Sequence, residues 1–477
     1  MHEPPLHYQA DPRIWAGALL GDTDVSVVRA RIQWLNSHGV THIIDLTTPA
    51  DACPPYAALL AKHAPGIVRH AFPIRDMGVP SPACMLAILD TISTIVAGGA
   101  TVYVHCWGGK GRTGTVIGCW YVRQGMTGAD ALTRIVQVRG DMPGSSPETD
   151  AQRAFVMAWR EPSATVAAQW HQWRDRARGA MLGLAVGDAV GTTLEFKRPG
   201  TFAPLTDMVG GGPFRLPVGA WTDDTSMMLC LAESLMVCGG FDATDQMQRY
   251  VRWQDDGYFS VTGRCFDIGS TVLGSLNRFR RNGNPFAGDP HPMSAGNGSL
   301  MRLAPIAVRY VADAQLVHYA RESSRTTHAT ATALDACAVM AQLMAVAIRG
   351  GSKQDVLALV AQLSADHALH ADIQRVVAGS FRREPPDIRG TGYVVQSLEA
   401  ALWALQKHND YRSGVLAAAN LGEDADTTAA IYGQLAGAIW GESGIPASWR
   451  DKILQAHDMT WRADELLGAA WGQLVQA

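Results

Sequence analysis

The spacing of apolar positions divides the chain into two regions. Up to about residue 160, short β-branched apolar runs at 40–46 and 101–105 alternate with helical segments, as expected of buried parallel strands in an α/β layer. From about residue 167 onward strand signals nearly vanish, and Ala, Leu, Met and Gly recur at helical spacing. This pattern predicts an N-terminal α/β domain with a mainly parallel sheet and a C-terminal all-α domain. We place the first domain, a linker and the second domain at residues 1–160, 161–169 and 170–477.

Small residues recur on one predicted helix near the C-terminal end. Gly433, Gly437 and Gly441 follow one another at four-residue intervals, which places them on one helical face. In a membrane this spacing is typical of helix dimerisation. In this Ala-rich chain it predicts helices whose backbones pack closely in the core of the second domain.

The composition argues against several classes of partner. A formal net charge of −4 over 477 residues leaves no basic surface of the kind that binds nucleic acid. The eight cysteines include no Cys-x-x-Cys pair, and residues 1–5 show no signal-peptide pattern. No uncharged apolar stretch is long enough to span a bilayer. We therefore expect reduced thiols, a cytoplasmic location, no membrane partner and no strong interaction with nucleic acid.

Two acidic clusters lie about 200 residues apart, and each begins an apolar, helix-like run: Thr222-Asp223-Asp224-Thr225 and Asp424-Ala425-Asp426-Thr427. Four carboxylates brought together would repel one another unless cations neutralised them, and two divalent ions would balance their charge. Such oxygen donors suit Mg²⁺ or Mn²⁺, whereas zinc favours nitrogen and sulfur. The clusters therefore predict a two-metal hydrolase. The alternative for either cluster alone is helix N-capping, for which Asp and Thr are preferred residues.

A second candidate site follows the predicted strand 101–105. The strand leads into a glycine-rich loop, residues 106–111, and then into a helical run to about Gln124. Strand, loop and helix N-terminus together make an anion site, because backbone N–H groups point inward and the helix dipole favours negative charge. These dipoles and Arg112 would stabilise the thiolate of Cys106. The alternative is that Cys106 is an unreactive core thiol beside a turn.

The His-Cys-x5-Arg-Thr pattern of this loop resembles the protein tyrosine and dual-specificity phosphatases, over roughly residues 8–160. The resemblance implies a nucleophile, Cys106, that Thr113 assists and whose phosphoryl group Arg112 binds. It implies a general acid, Asp76, in the loop 72–80. The phosphate would be bound by Trp107, Gly108, Gly109, Lys110 and Gly111.

Residues 146–152 are similar to the segment whose glutamine positions the hydrolytic water in some of these phosphatases, a role that would fall to Gln152. The activity implied for the N-terminal domain is cysteine-dependent hydrolysis of a phosphate monoester. The alternative is a non-catalytic module that binds phosphate, because the motif identifies a nucleophile and does not define the depth of the pocket.

Five ordered motifs, at 187–196, 221–227, 294–302, 326–328 and 420–428, resemble the ADP-ribosylglycohydrolases of the dinitrogenase-reductase-activating type over about residues 170–477. This resemblance implies an all-helical domain with two Mg²⁺ or Mn²⁺ ions in a cleft. The implied metal ligands are Thr222, Asp223, Asp224, Asp424, Asp426 and Thr427. The residues implied to bind ADP-ribose are Ser294, Gly296, Asn297, Gly298 and His328.

Glu195 matches an acidic residue that positions water or acts on the leaving group in some glycohydrolases, although it has Lys197 and Arg198 as alternative partners. For His328 the alternative is a core histidine with satisfied hydrogen bonds. The chain departs from the family pattern at Ala295, where some members carry an aromatic residue. Glu423 and Ala425 vary within the second acidic motif, but the ligand positions there are intact.

Together the two resemblances predict a bifunctional hydrolase. The C-terminal domain would release ADP-ribose from an ADP-ribosylated protein, with arginine as the favoured acceptor, or from another ADP-ribose conjugate. The N-terminal domain would act on a phosphorylated substrate. Whether one substrate carries both groups stays open, as do the linkage atom and the choice between Mg²⁺ and Mn²⁺.

Overall fold

The structure is a computed structural model that describes residues 6–48, 51–54, 56–365 and 368–476, with side chains to Trp471. The chain divides into two compact units, residues 1–167 and 168–477. The first five residues, considered above for a signal peptide, lie outside the described residues. The predicted linker, residues 161–169, contains the start of a long helix, Ala164–Gly191, because the Ala-rich segment after Ser163 continues a helical pattern.

In the described part of the first unit, five strands form one sheet. The elements in chain order are β1 His7–Asp11, β2 Ile14–Gly17, α1 Val25–Ser37, β3 Val40–Asp45, α2 Ala57–His63, β4 Val68–Ala71, α3 Pro82–Ala97, β5 Thr101–His105, α4 Gly111–Arg123, α5 Gly128–Arg139 and α6 Asp150–Ala158. The strand order is β1-β2-β5-β3-β4. Only the β1–β2 pair is antiparallel, and β5 pairs in parallel with both β2 and β3. The prediction of an α/β domain with a mainly parallel sheet is confirmed.

The central position of β5 sets the location of the cysteine loop. Val102, Tyr103 and Val104 are fully buried because helices cover both faces of a parallel strand in this position. Tyr103 belongs to a core cluster with residues of α1 and β3, including Ile32 and Ile43. Ligand sites in such sheets lie beyond the carboxyl ends of the strands, and Cys106 follows the carboxyl end of β5.

The second unit is helical, as the sequence predicts. Its helices are α7 Ala164–Gly191, α8 Asp223–Val237, α9 Ala243–Asp256, α10 Ser270–Asn282, α11 Ala304–Arg309, α12 Leu316–Arg325, α13 Ala331–Ile348, α14 Lys353–Leu363, α15 Ala371–Val377, α16 Val394–Lys407, α17 Tyr411–Ala419, α18 Ala425–Trp440, α19 Ala447–Arg450 and α20 Ala456–Gln476. Short 3-10 turns occupy Thr192–Leu194, Pro292–Ser294, Ser380–Arg382 and Glu442–Gly444. Helix α13 lies at the centre and packs against α11, α12, α14, α16 and α18.

Helices α7 and α18 approach each other closely through glycine. A Cβ atom at Gly433 would overlap the carbonyl oxygen of Gly183, and one at Gly437 would overlap that of Gly179. Close backbone packing at these two positions agrees with the prediction from their spacing. Gly441 differs, because it ends α18 with a φ of 77°, a backbone conformation that favours glycine.

Among the described residues, one helix, Ala331–Ile348, is long and apolar enough to cross a membrane by length and composition. Of its apolar window 78% is buried inside the domain, which is the environment of a core helix. The helix carries one acidic residue, Asp335, so the sequence criterion of an uncharged stretch did not select it.

Candidate active sites

The two acidic clusters, distant in sequence, meet in the second domain. Helix α8 begins at Asp223 and helix α18 begins at Ala425, so each cluster occupies a helix N-terminus. Carboxylate oxygens of Asp188, Asp224 and Asp426 lie within 4.8 Å of one another, and so do those of Glu195, Asp424 and Asp426. Asp426 belongs to both groups and therefore joins them.

The hydroxyl groups of both motifs point into the same cluster. Thr222 Oγ1 lies 2.9 Å from Asp188 Oδ1, 3.2 Å from Asp224 Oδ2 and 3.4 Å from Asp426 Oδ2. Thr427 Oγ1 lies 3.4 Å from the same Asp224 oxygen. Neither Thr222 nor Asp424, the two N-cap residues, caps its helix through its side chain. The capping alternative therefore does not explain these residues.

Burial and mutual repulsion raise the pKa values of the clustered carboxyl groups. Burial, and then the charge of Asp426, raises the pKa of Asp188 and of Asp424 to about 7. Burial raises the pKa of Asp223 and Asp224 well above the ordinary range, with neighbouring carboxylates as the second cause. Asp224 Oδ1 is buried and has no hydrogen-bond partner in the described structure. A set of oxygen donors with excess negative charge and an unsatisfied buried oxygen fits divalent cations.

Asp188 belongs to the cluster and lies in the motif 187–196, although the sequence predicts no role for it. Its carboxylate accepts hydrogen bonds from the Thr222 backbone N–H at 2.8 Å and from Thr225 Oγ1 at 2.6 Å. Asp188 therefore holds the start of α8 in place and adds a negative charge beneath the predicted ligands. The available signal was a carboxylate between Gly187 and Ala189, on a helix whose last turns are fully buried.

Asp267 is a second residue that the sequence did not single out. It lies in the loop before α10, has a φ of 60° and lines the same cavity as the cluster. Burial and then the charges of Asp426 and Asp188 raise its pKa to about 9. A lone Asp in an irregular loop carries no helical or motif signal, so only the fold brings it to the cluster.

A cavity of about 780 Å³ lies over the acidic cluster. Asp223, Asp424, Asp426 and Thr427 line this cavity, whereas Thr222 and Asp224 lie beneath them and are fully buried. Of the residues predicted to bind ADP-ribose, the ones that line the cavity are Gly296, Asn297, Gly298 and His328. Ser294 is not among the described lining residues, and its side chain contacts Asp289.

Asn297 supports the acidic cluster directly. Its side-chain amide donates to Asp424 Oδ2 at 2.7 Å and to Ser397 Oγ at 3.0 Å. Both amide hydrogens are therefore used within the protein, which leaves the amide oxygen as the group that can contact a ligand. Asn297 thus orients a predicted metal ligand as well as lining the cavity.

Glu195 is fixed against the start of α18. It is 4% exposed, and its carboxylate accepts a hydrogen bond from the Ala425 backbone N–H at 2.9 Å. Two backbone hydrogen bonds, Phe196 N–H to Glu423 O and Glu423 N–H to Lys197 O, both 2.7 Å, hold the two segments together. Burial and the charge of Asp426 raise the pKa of Glu195 far above its ordinary value. The alternative of a simple ion pair with Lys197 or Arg198 is absent from the described ion pairs.

In the first domain, residues 106–111 form a tight loop whose carbonyl groups face outward. The carbonyl oxygens of Trp107, Gly109 and Lys110 accept hydrogen bonds from Leu19 N–H, Arg139 Nη1 and Ser146 Oγ. Gly109 has a φ of 67°, and a Cβ atom there would overlap the backbone at Gly17. Helix α4 begins at Gly111, so its N-terminus faces the loop, as an anion site requires.

Arg112 is held by carboxylates from two different segments. Its Nη1 donates to Asp51 Oδ2 at 2.6 Å and to the Ile74 carbonyl at 3.0 Å, while Nη2 lies 2.9 Å from Asp76 Oδ1. Asp76, the predicted general acid, therefore reaches the loop, with 63% of its side chain exposed. Asp51 is 6% exposed and was not singled out from sequence. Together with Thr48, Arg75 and Trp107, the two Asp residues line a cavity of about 430 Å³.

Thr113 and Gln152 make contacts with the protein that the resemblance does not predict. Thr113 is fully buried, and its hydroxyl lies 3.5 Å from the Gly17 carbonyl, with no described contact to Cys106. Gln152 Oε1 accepts from the backbone N–H groups of Glu148 and Thr149, which caps α6, and its amide donates to the Gly78 carbonyl. In this structure the glutamine links the helix cap to the acid loop.

A buried network lies behind the Cys106 loop. His105 Nδ1 is 3.2 Å from the Cys106 carbonyl oxygen, and Nε2 is 2.7 Å from the Tyr56 hydroxyl. The Tyr56 hydroxyl is 3.0 Å from Asp45 Oδ2, which also accepts from Arg69 Nε at 2.9 Å. Burial alone would raise the pKa of Asp45, but His105 and Arg69 hold it at about 2. A carbonyl oxygen can only accept, so Nδ1 carries the proton that orients the loop.

Comparisons with known proteins agree with this division. The family model "ADP-ribosylglycohydrolase" matches residues 169–474. The model "Swiss Army Knife protein, DSP-PTPase phosphatase domain" matches residues 17–170. The chain is similar to the ADP-ribosylarginine hydrolase Tri1 of Pseudomonas putida, with 42% identity over 70% of this chain and 86% of the relative. It is 32% identical to the ADP-ribosyl-[dinitrogen reductase] glycohydrolase of Rhodospirillum rubrum, over 58% of this chain and 90% of the relative.

A solved structure, an ADP-ribosylglycohydrolase-related protein complex, aligns with a TM-score of 0.56 and 44% identity. The alignment covers 62% of this chain and 98% of that chain. The family is metal-dependent, and the acidic groups described above could hold a metal.

Proposed function

Because the chain belongs to the ADP-ribosylglycohydrolase family and also carries a DSP-PTPase domain, we propose that it is a bifunctional hydrolase whose C-terminal domain releases ADP-ribose from arginine side chains. The observation that carries this proposal is the cluster around Asp426 at the floor of a cavity large enough for a nucleotide. The arginine linkage is supported by the name of the relative that is 42% identical.

The donor set suits two Mg²⁺ or Mn²⁺ ions, which Thr222, Asp223, Asp224, Asp424, Asp426 and Thr427 would hold, with Asp188 beneath these residues. When bound, such ions polarise the anomeric centre and lower the pKa of water. The protein's own residues then orient the reaction. Asn297 fixes Asp424, and the Ala425 N–H fixes Glu195, which is positioned to exchange a proton with water or with the leaving group.

The test is release of free ADP-ribose from an arginine-ADP-ribosylated protein, measured in Mg²⁺ and again in excess EDTA. We expect release that depends on Mg²⁺ and returns when Mg²⁺ or Mn²⁺ is added back. No release from arginine by folded protein with metal bound would reject the arginine linkage, and serine-linked ADP-ribose would be the next substrate.

For the N-terminal domain we propose cysteine-dependent hydrolysis of a phosphorylated substrate. The observation in favour is that Cys106 begins a loop with outward carbonyl groups, and that Arg112 and Asp76 lie at the same loop. The alternative is a non-catalytic module that binds phosphate through the same loop.

Phosphate release by wild type and Cys106→Ser separates catalysis from binding. Turnover that falls by roughly 10⁴-fold or more in the variant supports catalysis. Phosphate binding without turnover in both proteins supports the binding module. Cys238→Ser is a suitable control, because this exposed thiol lies in the second domain, away from the loop in sequence.

We also propose a cellular compartment and partners for the protein. All eight cysteines are free, which supports a reducing compartment such as the cytoplasm. The partners that we propose are an ADP-ribosylated protein or ADP-ribose conjugate and a phosphorylated substrate.

A further inference from the structure

A buried arginine without a carboxylate partner lies behind the ligand cavity of the second domain. Arg302 is fully buried, and none of the described ion pairs includes it. Its Nη2 donates to Thr327 Oγ1 at 2.7 Å, and its guanidinium lies 4.6 Å from the ring centre of Tyr250. A charge in the core without a carboxylate partner is costly. Nη2 also lies 3.4 Å from both the Ser323 carbonyl and Thr326 Oγ1, so the bond to Thr327 is the shortest that it donates.

The Thr327 hydroxyl connects Arg302 to His328. Its hydroxyl oxygen lies 2.9 Å from His328 Nδ1, and these two contacts are the ones described for the hydroxyl. The oxygen already accepts from Arg302, and its own hydrogen needs an acceptor because Thr327 is fully buried. If Nδ1 carried a hydrogen, the hydroxyl would accept twice and its own hydrogen would stay unpaired. The arrangement that satisfies every group has Thr327 donating to Nδ1.

The other ring nitrogen, Nε2, faces the cavity. His328 lines the cavity, and the hydrogen bond described for its ring is the one at Nδ1. A Cβ atom at Gly296 would lie 3.2 Å from Nε2, and one at Gly298 would lie 2.9 Å from Cε1. The two glycines therefore leave this edge of the ring open toward the ligand. Burial and then the charge of Arg302 lower the pKa of His328 to about 3, so the ring is neutral.

We propose that Arg302 and Thr327 are positioning residues that fix His328 in the Nε2–H tautomer, so that the cavity wall between Gly296 and Gly298 presents a hydrogen-bond donor to the ligand. This wall accepts an oxygen with lone pairs, such as a phosphate or ribose oxygen, and disfavours a donor group. The inference rests on the proposed function, because ADP-ribose supplies such oxygens.

The first test is ¹⁵N NMR of the metal-loaded protein with labelled histidine, with the His328 signals identified by their loss in His328→Asn. We expect an unprotonated Nδ1 and a protonated Nε2 that do not change between pH 6 and pH 8. In Thr327→Val we expect a mixture of the Nδ1–H and Nε2–H tautomers, and an affinity for ADP-ribose that is about tenfold lower. Thr327→Ser keeps the hydroxyl and should restore both properties.

Arg302 is tested with two variants of similar size. Arg302→Gln retains an N–H donor toward Thr327 and should keep the tautomer, whereas Arg302→Met should release it. Thermal melting and Mg²⁺ binding show whether each variant is folded, and Thr327→Val supplies the decisive result if an Arg302 variant is not.

Wild-type protein with Nδ1 protonated would overturn the proposal, and so would Thr327→Val with an unchanged tautomer and unchanged affinity. A failure of the proposed function looks different. Arginine-linked ADP-ribose would then not be cleaved, but the tautomer and the affinity for ADP-ribose would still respond to Thr327→Val. This result would support the positioning of His328 by Arg302 and Thr327 and would reject the arginine linkage.

Discussion

The two candidate sites treat charge in opposite ways. In the second domain, carboxylate oxygens of Asp188, Asp224 and Asp426 lie within 4.8 Å of one another, and none of the ion pairs among the described residues includes these three side chains. In the first domain, the guanidinium of Arg112 is paired with both Asp51 and Asp76. The glycohydrolase site thus keeps a net negative charge that suits cations, whereas the cysteine loop arranges N–H groups and a guanidinium that suit an anion. The charge of the acidic cluster therefore requires cations from outside the chain, whereas the carboxylates at the Cys106 loop are already paired with Arg112.

Removing one carboxylate from the acidic cluster of the second domain should have the largest effect on activity. We expect Asp426→Asn to reduce ADP-ribose release on the order of 10³-fold, because Asp426 belongs to both carboxylate groups. The measurement is initial rate in Mg²⁺ together with metal stoichiometry by calorimetry.

The matched control is Asp242→Asn, because Asp242 caps α9 through its side chain and does not line the cavity. We expect this variant to lose about 1 kcal/mol of stability at most and to retain its activity. Equal losses of activity in both variants would mean that Asp426 acts only as a helix residue.

At the Cys106 loop of the first domain, Asp51 and Asp76 both pair with Arg112, and replacing each of them should change the kinetics in a different way. Asp76 is mostly exposed, so a phosphate can displace it from Nη2, and its carboxyl group is then free to act as the predicted general acid at the leaving oxygen. We expect Asp76→Asn to lower kcat about 10²-fold for esters with a poor leaving group. Asp51 is buried and should hold Nη1 throughout, so Asp51→Asn should raise KM about tenfold with a smaller change in kcat.

Steady-state phosphatase kinetics with a good and a poor leaving group check this difference. A loss of kcat in Asp51→Asn that depends on the leaving group would mean that Asp51, and not Asp76, is the general acid. No turnover in the wild type or in either variant, with phosphate still bound, would favour the non-catalytic module.

The smallest expected effect is on stability as a function of pH. The folded pKa values of Asp188 and Asp424, about 7, and of Asp267, about 9, lie above the ordinary value of 3.8. Between pH 9 and pH 7 the folded protein without metal therefore binds more protons than the unfolded chain, and its stability rises as pH falls. Over this range ordinary histidines are mostly neutral and contribute little, whereas cysteines whose pKa burial raises to about 11, Cys53 and Cys265, change the stability in the same direction as the cluster.

Melting temperatures in EDTA and in Mg²⁺ at pH 7 and pH 9 test this sign. We expect the EDTA-treated protein to melt a few degrees higher at pH 7 than at pH 9. Mg²⁺ should stabilise the protein more at pH 9, because it replaces the missing protons. The opposite order in EDTA would show that the cluster does not carry uncompensated charge.

Local pattern was enough to predict several elements of this fold. The β-branched run at 101–105 became β5 with the same limits, because a strand buried on both faces must be apolar along its length. The run at 40–46 contains β3, and the helix after the cysteine loop ends at Arg123, beside the predicted Gln124. Each of these predictions depended on neighbours within a few residues.

The sequence by itself also predicted a candidate chemistry for each domain, since each of the two acidic clusters and the Cys-x5-Arg loop is a short run of neighbouring residues. Only the tertiary structure decided which other groups join them. Asp51 and Asp267 come from segments that carry no motif signal, whereas Asp188, Arg302 and Thr327 lie within motifs but make contacts that the motifs do not predict. Their charges and hydrogen bonds depend on burial and on distances of about 3 Å between remote segments, which no local pattern encodes.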